Sequence, residues 1–110
     1  MTLDDLRKYG VNVDEGLARC MNNEDFYLRM VGMLRNEQSF DALEKALAEG
    51  NLKAGFEAAH SLKGVLGNLA ITPILEPVQE ITELLRAETD MDYSELLATI
   101  NQKKDEFFAL

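Results

Sequence analysis

The chain has 110 residues, 46% hydrophobic and 28% charged, with 20 acidic against 11 basic side chains and a net charge of −9. That suffices for one domain, residues 1–110, with one core, and the acidity argues against nucleic acid or an anionic membrane, both of which need a cationic face on their partner. The lone cysteine, Cys20, excludes an intramolecular disulfide; with no signal-peptide pattern in "MTLDDLRKYG" and no apolar run near the ~18 residues of a membrane span, a cytoplasmic chain is expected.

The chain reads as all helix. Thr2 can cap a short first helix with Asp5 in a capping-box position, and Gly10 ends it. Asp14 is placed as the cap of a second short helix running through Met21. Asn23 can cap "EDFYLRMVGMLRNEQS", where Phe26, Met30, Met33 and Leu34 share one face. Ser39 opens "FDALEKALAEG", with apolar Phe40, Leu43 and Leu47, and Gly50 stops it. The last two segments read equally as one long bent helix or as two.

Asn51 caps a helix expected to reach about Leu69. Thr72-Pro73 restarts the chain. Pro77 removes one intrahelical bond, so the next helix either kinks there or begins there. Val78, Ile81, Leu84 and Leu85 carry it to about Thr89. "TDMDYSE" is a turn, and a last helix spans about Tyr93 to Phe108. Short connections make neighbours antiparallel. The expected architecture is an up-down four-helix bundle with short N-terminal capping helices, and a monomer is expected. Cys20, Met30 and Met33 sit at core spacing and read as packing.

The stretch "AAHSLKGVLGNLA" carries the only histidine, His60, beside two glycines that each cost the helix about 1 kcal/mol relative to alanine. On a wheel of 100° per residue, Leu52, Phe56, Ala59, Leu62, Leu66 and Leu69 form one apolar arc. His60 falls roughly 120° from its centre and is expected to be exposed. Lys63 and Gly64 are its i+3 and i+4 neighbours, and Gly67 continues the stripe. Glu57 and Gly64 face solvent. Such an open approach suits a large partner better than a small ligand, which needs a concave pocket.

Other chemistries fit poorly. Glu57 and His60 have the Glu-x-x-His spacing of carboxylate-bridged metal bundles, but there is no second histidine, and both residues point outward. No metal site is expected. No Gly-x-Ser-x-Gly, P-loop or Gly-x-Gly-x-x-Gly is present, and Cys20 has no second histidine to serve it.

"AHSLKGVLGNLA" resembles the signature of histidine-containing phosphotransfer (HPt) domains, His-x-Leu-Lys-Gly followed by a small-residue stretch and Asn-Leu-Gly. His60, Leu62, Lys63, Gly64, Asn68 and Leu69 match; the last glycine is Ala70 here, a change that bears on the turn after the motif. The N-terminal helices, the "YG", "EDFYLRMVGML" and "ALAEGNLKAGFEAAHSLKG" also look like a free-standing domain of this family. The resemblance implies a four-helix bundle that carries a phosphoryl group on His60 between aspartates of response-regulator receiver domains, or from a sensor histidine kinase to its regulator. Lys63 and Gly64 take the accessory positions.

The residue types suit that task. A free imidazole is mostly neutral at pH 7 and keeps a lone pair for attack on phosphorus. Mid-helix amides are already bonded, so no helix N-terminus cradles the phosphate. Lys63 is the nearest cation and contributes on the order of 1 kcal/mol. The rest must come from the receiver, which brings the aspartate, Mg²⁺ and its own lysine; no cofactor and no ATP-dependent kinase activity are expected of this chain. Partner contacts are expected from Glu57, Ser61, Gly67 and Asn68. Counting back along the next helix lands on Thr82, flanked by Gln79 and Arg86. One of these three orients the imidazole, or all three form a solvated face. A rival reading is a helical adaptor that docks receiver or kinase domains without carrying phosphate.

Overall fold

The computed structural model describes residues 1–110. Seven α-helices follow one another: α1 (Leu3–Tyr9), α2 (Val13–Arg19), α3 (Glu24–Met33), α4 (Ser39–Ala48), α5 (Leu52–Leu69), α6 (Thr72–Arg86) and α7 (Ser94–Phe108), with a 3₁₀ turn at Leu34–Asn36. There are no strands. The up-down four-helix bundle is α4 to α7, with α5 packed between α4 and α6, and α7 against α6. Its core includes Leu43, Ala59, Leu62, Leu66, Ile74, Val78, Ile81, Leu85, Ile100 and Phe107, each 1% exposed or less.

The three N-terminal helices close the end of the bundle where α5 finishes and α6 begins. The Tyr27 hydroxyl donates to Leu69 O at 2.9 Å, and the Asn12 N–H donates to Ala70 O at 3.1 Å. The Tyr9 hydroxyl lies within hydrogen-bond distance of two acceptors on α7, Glu106 Oε1 at 2.8 Å and Lys103 O at 2.9 Å. The first two bonds fix the last turn of α5, and the Tyr9 contacts tie α1 to α7.

Several helix ends follow the sequence reading. Thr2 and Asp5 form the capping box, and the Asn23 and Asn51 side chains accept from Phe26 N and Ala54 N. Gly10 and Gly50 take positive φ where α1 and α4 end. Others differ for local reasons. Asn12, not Asp14, caps α2 by accepting from Glu15 N, which lets Val13 bury at 2% exposure, and α2 ends at Arg19, not Met21. Ser39 does open α4, as its first residue, and its hydroxyl donates to Glu37 Oε1 at 2.9 Å. The segments before and after Glu37 are two helices, because the extended backbone of Glu37 (φ −71°, ψ 116°) breaks them.

The buried face of α3 is also different. Phe26 is 38% exposed and Met33 56%, while Tyr27 and Val31 are fully buried. The inward stripe is Tyr27, Val31 and Leu34, with Met30 half-buried beside it. Pro77 neither starts α6 nor ends it. The helix begins at Thr72 with Pro73 in its first turn and runs through Pro77 to Arg86, short of Thr89.

Candidate functional site

The 18 residues of α5 begin at the Asn51 cap and end at Ala70, whose backbone turns left-handed (φ 57°, ψ 42°). Ala59, Leu62, Leu66 and Leu69 hold one face of this helix in the core. The helix carries three glycines, and they do two different things. Gly55 is buried; a Cβ there would meet Leu47 at 3.3 Å and Leu85 at 3.6 Å, so its absence lets α4 and α6 close on α5. At Gly64 and Gly67 an added Cβ would meet nothing within 4 Å. Those two keep space open outside the bundle.

His60 stands on the exposed side of α5, with Gly64 beyond it along the same ridge. Its ring stacks on Phe56, one turn back, with centroids 5.6 Å apart and planes inclined by 23°. The Arg86 guanidinium lies 4.9 Å from the centroid of the Phe56 ring. Phe56 therefore sits between the imidazole and a cation. It lies at the edge of the apolar arc, which is why it is half-buried and available for both contacts.

A shallow groove of about 410 Å³ runs along the ridge. His60, Lys63, Gly64, Gly67 and Asn68 of α5 form one side; Leu75 and Gln79 of α6 form part of the other. Glu15 and Arg19 of α2 complete it. A second depression of about 340 Å³, walled by Met30, Met33, Val65 and Asn68 among others, follows the opposite flank of α5. Asn68 lines both. The largest depression, about 460 Å³, lies at the α4–α5 turn and Asp90–Ser94 and shares no residue with the groove.

Every cation around the groove is paired with a carboxylate. Lys63 Nζ lies 3.8 Å from Glu83 Oε1, and Arg86 Nε donates to Glu83 Oε2 at 3.2 Å. Arg19 Nη2 donates to Glu15 Oε1 at 3.0 Å. These pairs are substantially exposed, so each is worth about 1 kcal/mol or less.

Of the residues expected at the site, Lys63, Gly64, Gly67, Asn68 and Gln79 lie with His60 along the groove. Arg86 reaches the imidazole's neighbour, Phe56. Glu57 is exposed on α5. Ser61 is exposed as well, on the flank facing α4, where its hydroxyl lies 3.3 Å from that of Ser39. Thr82 is a correction. It is fully buried, and its hydroxyl donates to Val78 O at 2.6 Å, so it offers nothing to His60 or to a partner. The next residue along, Glu83, is the one that reaches the site, where it meets Lys63. The face was wrong by one residue: Thr82 belongs to the inward stripe of Val78, Ile81 and Leu85, while Gln79, Glu83 and Arg86 share the exposed one.

Sequence reasoning missed Phe56 as a ring partner, Glu83 as the shared counter-ion, and Glu15, Arg19 and Leu75 in the groove. Glu83 was within reach of the α6 periodicity. The α2 residues depend on tertiary packing and carry no local signal. No group of three or more histidine, cysteine or carboxylate side chains is arranged to hold a metal ion. No helix is long and apolar enough to cross a membrane.

The model of the Hpt domain family matches residues 30–108, more than half of the chain, with α1, α2 and the first part of α3 lying before it. No curated protein and no solved structure matches the chain.

Proposed function

The chain belongs to the Hpt domain family, whose task is histidine phosphotransfer in phosphorelays, and we propose that His60 is the phosphoryl-accepting residue. It takes the group from an aspartyl phosphate of one receiver domain, or from a sensor histidine kinase system, and gives it to the aspartate of another receiver. The observation that carries this reading is the exposed imidazole on α5 with Lys63 one turn away and open space at Gly64 and Gly67.

In the transfer, the lone pair of the unprotonated ring nitrogen forms the N–P bond as the aspartyl O–P bond breaks. The electron pair of that bond stays on the departing carboxylate, and the ring keeps its N–H proton. Discharge is the reverse. Positioning and charge neutralisation dominate such a reaction. This chain contributes the nucleophile on a helix held at both ends, with Phe56 restraining the ring. Lys63 and Arg86 offer positive charge at its edge. Gln79, Gly64, Gly67 and Asn68 form the surface on which the receiver sits, with Glu57 and Ser61 at its margin. The receiver supplies the Mg²⁺ and its own lysine. The chain acts in the cytoplasm as a monomeric carrier without kinase activity of its own.

The test is incubation with phosphorylated receiver domains and detection of acid-labile label on the chain. Wild type becomes labelled and His60→Gln, still folded, does not. Equal labelling of the two, or no labelling by any receiver of the source organism, overturns the reading.

A further inference from the structure

The two cations nearest His60 share one counter-ion. Glu83 of α6 places one carboxylate oxygen 3.8 Å from Lys63 Nζ and accepts from Arg86 Nε with the other at 3.2 Å. Phe56 ties this pair of contacts to the imidazole, stacking on His60 and lying under the Arg86 guanidinium. Arg19, the cation on the α2 wall of the groove, is paired with Glu15. Glu57, one turn before His60, adds a further exposed negative charge.

A phosphoryl group on His60 brings a charge of about −1.5 to −2 into this space. It must compete with Glu83 for Lys63 and Arg86, and it is repelled by the carboxylate itself. Resting on the phosphotransfer reading above, we propose that Glu83 is a positioning residue that keeps Lys63 and Arg86 from engaging the phosphoryl group fully. It thereby weakens phosphohistidine relative to aspartyl phosphate on the receiver and favours onward transfer. Glu83 takes part in no bond change; the N–P and O–P bonds exchange as described, and Glu83 acts through the two cations.

The full-length chain is phosphorylated chemically with phosphoramidate, which needs no receiver, and the last ionisation of the phosphoryl group is followed by ³¹P NMR against pH. Free cations favour the dianion, so Glu83→Gln moves this ionisation downward by about 0.3–0.7 pH unit. That is the two- to fivefold effect an exposed charge pair supports. Glu80→Gln makes the same charge change on α6 at an exposed carboxylate with no cation partner and gives less than half that shift. High salt removes the Glu83→Gln shift, and a Lys63→Met, Arg86→Met background cuts it to less than half, leaving only the direct repulsion by the carboxylate. A purely structural role would not respond to salt in this way. Equal shifts for Glu83→Gln and Glu80→Gln overturn the proposal. So does a Glu83→Gln shift that is undiminished without the two cations, or failure of phosphoramidate to load His60. In the second arm, Glu83→Gln moves the equilibrium with a phosphorylated receiver two- to fivefold toward phosphohistidine. A wild-type chain that holds chemically attached phosphoryl but exchanges it with no receiver overturns the phosphotransfer reading, while the titration still decides the role of Glu83.

Discussion

Replacing Gly64 with alanine separates what the fold needs from what a partner needs. A Cβ at Gly64 meets no atom of the chain within 4 Å. Only the intrinsic helix preference then acts on the free protein, and alanine is favoured over glycine by about 0.8–1.0 kcal/mol. The unfolding entropy of a chain of this length is about 0.23 kcal/mol/K, so the melting temperature rises by about 4 °C. Gly67→Ala behaves alike, and the double variant gains about 2 kcal/mol, or about 8–9 °C. The same methyl projects one turn from His60, where a receiver must close on the ridge. Overpacking of a fitted contact costs about 1–3 kcal/mol, so transfer from a phosphorylated receiver falls by roughly five- to 160-fold. Chemical loading by phosphoramidate, which needs no docking, stays near the wild-type rate. Denaturation curves and the two labelling assays on one protein preparation give all three quantities. A lower melting temperature would mean that the fold itself demands glycine. Unchanged receiver transfer would mean that the open space serves no partner, and either result refutes the reasoning.

Gly16→Ala has the opposite sign: a Cβ there lies 2.7 Å from Leu69 O and collides with the Tyr27 ring, so overpacking outweighs the helix gain and the melting temperature falls, by about 1–3 kcal/mol in stability. Phe56→Leu keeps the half-buried packing within about 1.5 kcal/mol but removes the ring under Arg86 and against His60, and transfer from a receiver slows several-fold at near-normal stability. Burial, and secondarily the nearby Cys20, pushes the Tyr27 hydroxyl up to about 12 from an ordinary value of 10. The folded chain therefore keeps a proton that the unfolded chain has lost, so stability is complete below about pH 10 and falls as pH rises toward 12. Tyr27→Phe reduces this alkaline loss in melting experiments, without abolishing it because burial also raises Tyr9 and Tyr93, and it loses about 1–2 kcal/mol at neutral pH by leaving Leu69 O without its donor.

What could be read from sequence was whatever depends on nearest neighbours along the chain. The Thr2, Asn23 and Asn51 caps, the Gly10 and Gly50 stops and the exposed His60 ridge all follow from local chemistry and the 3.6-residue period. Failures arose where two stripes overlap and only a distant residue chooses between them. On α3, the stripe of Phe26, Met30 and Met33 is as periodic as that of Tyr27, Val31 and Leu34. The choice falls to the second because the Tyr27 hydroxyl finds Leu69 O, 42 residues away. On α6, polar Thr82 passed for a surface residue, yet a threonine can satisfy its own hydroxyl on the carbonyl four residues back. The groove's α2 wall was illegible for the same reason, since α2 reaches α5 only through tertiary contact.

The end of α5 shows how a rigid support for His60 survives an unfavourable residue. Ala70 occupies the left-handed turn where the family pattern has glycine, and a non-glycine residue there costs about 1–2 kcal/mol. Backbone bonds hold the turn, and two effects of the methyl offset the cost. The Ala70 N–H bonds back to Gly67 O, its carbonyl accepts from Asn12 N–H, and its methyl is buried at 3% exposure. Burying a methyl returns about 0.8 kcal/mol, and alanine restricts the unfolded chain by a further 0.4–1 kcal/mol relative to glycine, an order-of-magnitude figure. The two sides nearly cancel. The turn is therefore held by α2 and α3 rather than by the backbone preference of the residue within it. Those helices press on Leu69 and Ala70, at the opposite end of the ridge from Phe56, which leaves the stretch from His60 to Gly67 braced from within the bundle and clear on its outer side.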